Sequence, residues 1–580
     1  MSRWIPAAVA IALLCAPTGL GAQEAGGESR DLVSSAAVED VIVLTGGQIW
    51  TGDPDQPEAH SLVIDKGRVV AVLDEPGETP AAPAGRVIDL GGRRVVPGFN
   101  DAHTHFFEGA FTLSKPNLLE SDTPRAFVAK LKAYAETLPP GRWIDMAAAW
   151  DHERWPGHRL PSRALIDSVT PENPVWIRRP DGHIGLANSL ALEAAGIDAD
   201  TPDPPGGQID RDPETGEPTG ILRDAGGLVV RVIPETSEDE FRDALDAGLE
   251  HAARMGVTTI QDMCYDPGPV AMRLFQEYAA KGKLTARIYC RTALSEWKHP
   301  ARAGVTAGFG SEFVRTGSLK AFADGALGST TAWMFEPYEG EPDNRGLPSD
   351  LLQPPSKLLE RIRPADAARL QLSIHAIGDA AISAVLDQLE NVVESNPPWD
   401  RRFRIEHAQH MAEKDFARMA ALGVIASVQP YHAIDDGRWA ERKIGPERAK
   451  TTYAFRSFLD AGVPMAFGSD WPVAPLDPWP AIYGAVTRRT LEGAHDPDGW
   501  VPEQRISLEE ALEAYTAGSA RAEYAEAWKG RLTPGYVADL VVLDRDPFAI
   551  DPAELDGVES VLTMVGGRIV WARGEFAVSR

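Results

Sequence analysis

Two histidines one residue apart stand in FNDAHTHFFEGA, residues 99–110, with Asp101 and Thr104 beside them. In extended chain, alternate side chains share a face, so His103 and His105 can grip one metal ion together. Imidazole and carboxylate suit zinc, which in a hydrolytic site keeps one coordination position open for water. Alone the pair is a weak sign, because histidine pairs occur more often on surfaces and in cores. Its weight depends on what other chemistry the fold carries to the same place.

The elements that would do this are apolar runs alternating with helical stretches, the pattern of βα units around a parallel sheet. Eight such runs can be counted: RVVPGF near 96, GVTTIQD near 259, ARIYCR near 288, SLKAFAD near 321, LQLSIHA near 373, FRIEHAQ near 405, GVIASVQ near 426 and PMAFGSD near 467. Eight units predict an α/β fold of the (β/α)8 TIM-barrel type, spanning residues 95–529. Functional residues in that architecture sit at the C-terminal ends of the strands. Read so, strand one ends in His103 and His105, strand four carries Lys320, strand five ends in His375, strand six in His407 and strand eight in Asp470. Four of the 13 histidines, a lysine and an aspartate thus share one rim.

Short β-branched runs broken by Gly turns flank the barrel at 39–94 and again at 530–580. They read as antiparallel hairpins forming one small β-sandwich domain from both termini. Residues 107–255, between strands one and two, are too long for one helix. They are expected to form a large insertion that caps the barrel mouth, with two strand-like runs and a loop DADTPDPPGGQIDRDPETGEPTG.

At the N-terminus, Arg3, the apolar stretch 4–14 and the small residues ending at Ala22 read as a secretory signal peptide over 1–22. A flexible lead-in at 23–38 follows. The expected location is exported, periplasmic or secreted, with an uncleaved anchor as the alternative. No other stretch is long enough for a membrane span. Cys264 and Cys290 remain after cleavage, and both one disulfide and two buried thiols stay open. The 580 residues carry 57 basic and 85 acidic side chains, a net charge of −28. That excludes a basic footprint for nucleic acid. A homo-oligomer is left open.

The strings VVPGFNDAHTHF, LKAFADGALGS, HAIGDAA, RIEHAQ and AFGSDWPV together resemble the amidohydrolase superfamily. More closely they resemble its family 3 branch, which includes N-substituted formamide deformylases. The resemblance spans nearly the whole mature chain. It implies a metal-dependent hydrolase of carbon–nitrogen bonds in amides or N-formyl and N-acyl compounds, acting on a small molecule. His103, His105, His375, His407 and Asp470 match the family's metal ligands. Lys320 matches the position of a carboxylated lysine bridging two metals, here two zinc ions. A plain lysine paired with Asp324 or with a substrate carboxylate is the rival. The resemblance also implies metal-activated hydroxide as the nucleophile and Asp470 as general base and acid, against a turn-capping carboxylate.

Around this centre, His183 in RRPDGHIGLANS is a candidate substrate contact or a loop-stabilising residue. Trp150, Tyr431 and Trp471, with Trp155 and Trp333, either line an apolar substrate pocket or pack the cap onto the barrel. Asp379 and Glu406 are candidates to orient ligand histidines, with helix capping the rival for Asp379. His410 and His432 lie near the rim and are assigned no metal role. Two other functions remain in view: a deaminase or cyclic-imidate hydrolase on the same fold, and a metal-binding module without catalysis.

Overall fold

The computed structural model describes residues 41–74, 85–146, 149–263, 269–490 and 498–576. The expected signal peptide, the lead-in and Cys264 lie outside these. Among the described residues no helix is long and apolar enough to cross a membrane.

Eight parallel strands form the barrel: Phe99–Thr104, Val257–Asp262, Arg287–Ala293, Val314–Phe322, Gln371–Ala376, Arg404–His407, Ile425–Val428 and Met465–Phe467. They pair in that order. Most of their residues are buried on both faces, which is why they read as near-continuous apolar runs. Strand eight returns to strand one just past its end. There Asp470 N–H donates to His103 O at 2.7 Å and His105 N–H to Trp471 O at 2.8 Å. Gly468 permits this approach, since a Cβ there would lie 2.5 Å from His103 N.

The run near 96 is a correction. Arg94–Pro97 is a strand of the terminal sandwich, pairing with Gln48–Trp50 and Leu540–Leu543. The first barrel strand begins two residues later, after Gly98. A Cβ at Gly98 would lie 2.2 Å from Thr258 Oγ1, so only glycine lets the chain turn from one sheet into the other.

The sandwich has a four-stranded and a six-stranded sheet. Their facing side chains, among them Leu44, Ile49, Leu62, Val95, Leu540 and Leu562, form a separate core. The sheets are mixed, where hairpins alone had been expected: Val41–Thr45 runs parallel to Arg86–Asp89, and Gln48–Trp50 parallel to Arg94–Pro97.

Between barrel strands one and two lies a five-stranded sheet with its own apolar cluster. The stretch read as one loop contains a hairpin, Gln208–Arg211 with Pro218–Arg223. Its turn is held by Asp212, whose Oδ1 accepts from the N–H groups of Glu214 and Thr215. The chain re-enters the barrel through the helix Glu238–Arg254, started by a capping box between Ser237 and Glu240.

Candidate metal centre

A cavity of about 860 Å³ opens where the inserted sheet faces the barrel rim. His105, Lys320, His375, His407 and Asp470 line it from the barrel, and Arg178, Arg179 and His183 from the insertion. The structure therefore brings together the side chains that the sequence placed on the strand ends. His103 lies just beneath: its Nε2 is 3.3 Å from Asp470 Oδ1 and 3.3 Å from Lys320 Nζ. His105 Nε2 is likewise 3.3 Å from Asp470 Oδ1. Ligand bonds of about 2.0–2.2 Å at tetrahedral angles put neighbouring ligand atoms roughly 3.3–3.6 Å apart, so this trio has the spacing of a divalent-ion seat.

Apart from His105, the ligand atoms are kept in the form that binds metal, neutral imidazole and ionised carboxylate. Burial, with the Lys320 charge beside it, pushes the His103 pKa down to about 3. Burial also holds His375 and His407 well below the ordinary imidazole value. For Asp470 burial acts upward, but the surrounding imidazoles of His103, His105 and His407 more than offset it, and its carboxyl stays well below the usual range. His105 also overcomes its burial, through Asp470 and Glu108, and its pKa is raised. Asp470 and His407 both adopt left-handed backbone, with φ of 62° and 72°. Non-glycine residues held this way cost about 1–3 kcal/mol each and cluster at functional sites.

Glu406 supports the centre from below. Its Oε2 is 2.6 Å from His103 Nδ1, which fixes the tautomer and leaves Nε2 as the lone-pair nitrogen facing the cavity. Arg404 Nε lies 2.8 Å from Glu406 Oε1, and Ser373 Oγ donates to the same oxygen. All of these groups are buried. Burial pushes the Glu406 carboxyl up, but Arg404 and His103 outweigh it and hold it well below the ordinary range.

Asp379, expected to orient a histidine, does not reach one. Its Oδ1 accepts from the N–H groups of Phe335 and Ala380, at 2.8 Å each, so it serves its own helix start and the adjoining loop. Asp324 stands nearest His375 instead, 3.6 Å from its Nε2. Asp324 does not form the pair with Lys320 that stood as the rival to a carbamate: its oxygens accept from the N–H groups of Trp333, Ile377 and Gly378 at 2.8–3.0 Å. Burial nevertheless pushes Asp324 up to about 7. Lys320 is 3 % exposed, and burial brings it down to about 8.

Of the four expected substrate contacts, His183 alone lines the cavity. Its ring centre is 6.1 Å from that of His375, and its Nδ1 is 2.5 Å from Asp224 Oδ1. Burial would lower its pKa, but Asp224 and Asp181 raise it to about 9.

The three aromatics are corrections. Trp150 is fully buried in the core of the insertion, where its Nε1 donates to Ile177 O at 3.0 Å. Trp471 packs under the helix Phe106–Thr112, against the rings of Phe106 and His251. Tyr431 is half-buried against the barrel helices, outside the cavity lining. Trp155 is buried in the insertion with its Nε1 donating to Ser121 O. Large aromatics stabilise by burying area, and Trp150 and Trp155 do so in the insertion's own apolar cluster.

Sequence reasoning missed Glu108, Arg178, Arg179 and Asp224 as cavity residues, and His432, placed near the rim without a metal role, lines it too. Arg178 and Arg179 precede His183 in RRPDGH, so that motif was their one available signal. Glu108 follows His105 by one helical turn and pairs with Arg178 Nη1 at 2.7 Å.

A model of the amidohydrolase family matches residues 86–571. Protein LONG AFTER FAR-RED 3 of Arabidopsis thaliana is 38% identical over 552 residues, covering 93% of this chain and 93% of that protein. The N-substituted formamide deformylase of Arthrobacter pascens is 28% identical over 557 residues, covering 92% and 98%. The crystal structure of an uncharacterized metal-dependent hydrolase from Pyrococcus horikoshii superposes with a TM-score of 0.72 at 27% identity, covering 88% of this chain and 99% of that one.

Proposed function

The chain belongs to the amidohydrolase family, and from that premise we propose that it hydrolyses the carbon–nitrogen bond of an amide, N-formyl or N-acyl compound. The observation that carries the proposal is the meeting of His103 and His105, each 3.3 Å from Asp470 Oδ1, on the floor of a cavity large enough for a small molecule. His103, His105, His375, His407 and Asp470 would hold divalent metal, zinc by ligand type. Two ions are proposed, with Lys320 as a carbamate between them. Its buried amine is uncharged in part near neutral pH, the form whose nitrogen lone pair adds to CO2 with loss of a proton.

A bound divalent ion supplies a Lewis acid that lowers the pKa of water and polarises a carbonyl. The chain's own residues do the rest. Asp470 stays ionised, so its carboxylate can take the proton of the attacking water and return it to the leaving nitrogen. Glu406 holds the His103 ring and Asp324 faces His375. His183, held cationic by Asp224, offers its Nε2–H to a substrate oxygen from the inserted sheet.

The test is a screen of N-formyl and N-acyl amines with metal-loaded protein, read as amine release. Asp470→Asn is expected to lower turnover by about 100-fold or more. Cleavage of no amide together with ammonia release from an aminated ring would refute the proposal in favour of a deaminase. Export through the leader at 1–22 belongs to the same proposal, supported by Arg3 and the apolar stretch 4–14. N-terminal sequencing of protein from the cell envelope and medium tests it, and a retained Met1 in the cytoplasm would count against it.

A further inference from the structure

Three buried ligand atoms at the rim make no hydrogen bond: His407 Nδ1, His432 Nε2 and Asp470 Oδ1, the last standing 3.3 Å from the imidazoles of His103 and His105. One buried polar atom left unpaired costs about 1–3 kcal/mol, and native proteins pair the large majority of them. Three together mark a place where something else satisfies them. The same residues, His407, His432 and Asp470, each offer a nitrogen or carboxylate oxygen, all within 4.8 Å of one another. The rings of His407 and His432 lie nearly parallel, 13° apart, with centres 6.3 Å from each other.

His432 reaches this position through the element that follows barrel strand seven. Pro430 opens the helix Pro430–Asp436 directly after the strand, its fixed φ suited to a first helical position. His432 N–H donates to Gln429 O at 3.1 Å. Ala433 and Ile434 are buried and anchor the helix, while the His432 side chain lines the cavity. Of strand seven and its helix start only Tyr431 had been singled out, as a substrate contact, and no metal ligand was expected there between His407 and Asp470. His375 Nε2 lies 3.0 Å from the carbonyl oxygen of Gly325, so of its two ring nitrogens Nδ1 is the one that remains for a metal.

We propose that His432 is a metal ligand, and that His407, His432 and Asp470 form the seat of a second divalent ion beside the seat of His103, His105 and Asp470. The two seats share the Asp470 carboxylate. The inference rests on the metallohydrolase reading and adds a ligand that the strand-end motifs do not contain. An imidazole from a helix after strand seven ties that helix, and so the wall of the cavity it forms, to occupancy of the second seat.

The experiment counts ions. Full-length protein is loaded with Zn2+, freed of excess, and assayed for zinc per chain by mass spectrometry, with Co2+ titration followed by visible absorbance as the affinity readout. Wild-type protein is expected to hold two ions. His432→Ala is expected to hold one tightly and to bind the second at least tenfold more weakly. His432→Asp, which keeps a ligand atom, is expected to recover the second ion, so a loss caused by misfolding alone is distinguishable. His410→Ala, removing a buried histidine whose Nδ1 is 2.8 Å from Thr452 Oγ1, is expected to leave the count unchanged. A His432→Ala protein with the wild-type count and affinities overturns the inference and leaves the metallohydrolase reading standing, and wild-type protein that takes up no ion overturns both.

Discussion

Replacing Glu406 by Gln separates the two jobs its carboxylate performs. On one side, Oε2 lies 2.6 Å from His103 Nδ1 with both groups fully buried. Loss of a carboxylate behind a ligand histidine typically weakens metal binding 10- to 100-fold, or about 1.4–2.7 kcal/mol. On the other side, Oε1 lies 2.8 Å from Arg404 Nε, again with neither side chain exposed. Removing one partner of a buried ion pair costs about 3–5 kcal/mol, because the remaining charge stays desolvated. Glutamine keeps the volume and one acceptor but turns an N–H2 group towards either Arg404 or His103, both of which present donors. The expected result is therefore a folded protein with a lowered melting temperature in metal-free buffer and, measured separately by chelator competition, a metal affinity reduced at least tenfold. Both readouts are needed, since destabilisation alone would lower apparent affinity only through the unfolded fraction. A Glu406→Gln protein whose metal affinity lies within twofold of wild type would refute the claim that this carboxylate orients the His103 ligand.

Two further outcomes follow from the insertion. The folded pKa of His183 is raised to about 9 from 6.5, so its cationic pair with Asp224 contributes stability that is fully present below about pH 6.5 and is lost as pH rises through about 9. Asp224→Asn is expected to move the alkaline limb of the kcat/KM profile to lower pH, and an unmoved limb would exclude His183 as the cationic contact. Trp150→Phe is expected to cost about 1–3 kcal/mol by removing the buried Nε1 hydrogen bond to Ile177 O and part of the buried ring, with KM unchanged. A melting curve like wild type alongside a raised KM would return Trp150 to the substrate site.

The sequence by itself determined the barrel and the residues at its rim. Parallel strands buried on both faces must be apolar almost throughout, so a charged or imidazole side chain at the end of such a run stands out, as His375, His407 and Asp470 do. Strand polarity then sends those ends to one side of the barrel, which is why side chains as distant as His103 and Asp470 could be expected to meet. The run near 96 misled because sandwich and barrel strands have one texture, and only pairing shows that Arg94–Pro97 belongs to the former. Residues on loops and helix starts carry no such polarity. Asp379 and Asp324 have the same chemistry in similar motifs, yet only Asp324 faces a histidine. Trp150 and His183 both come from the insertion, yet one fills a core and the other the cavity. His432 was indistinguishable in sequence from His410. Which way each of these points is set by how the inserted sheet and the helix after strand seven pack on the rim, through contacts between segments far apart in the chain, and that is information no local pattern contains.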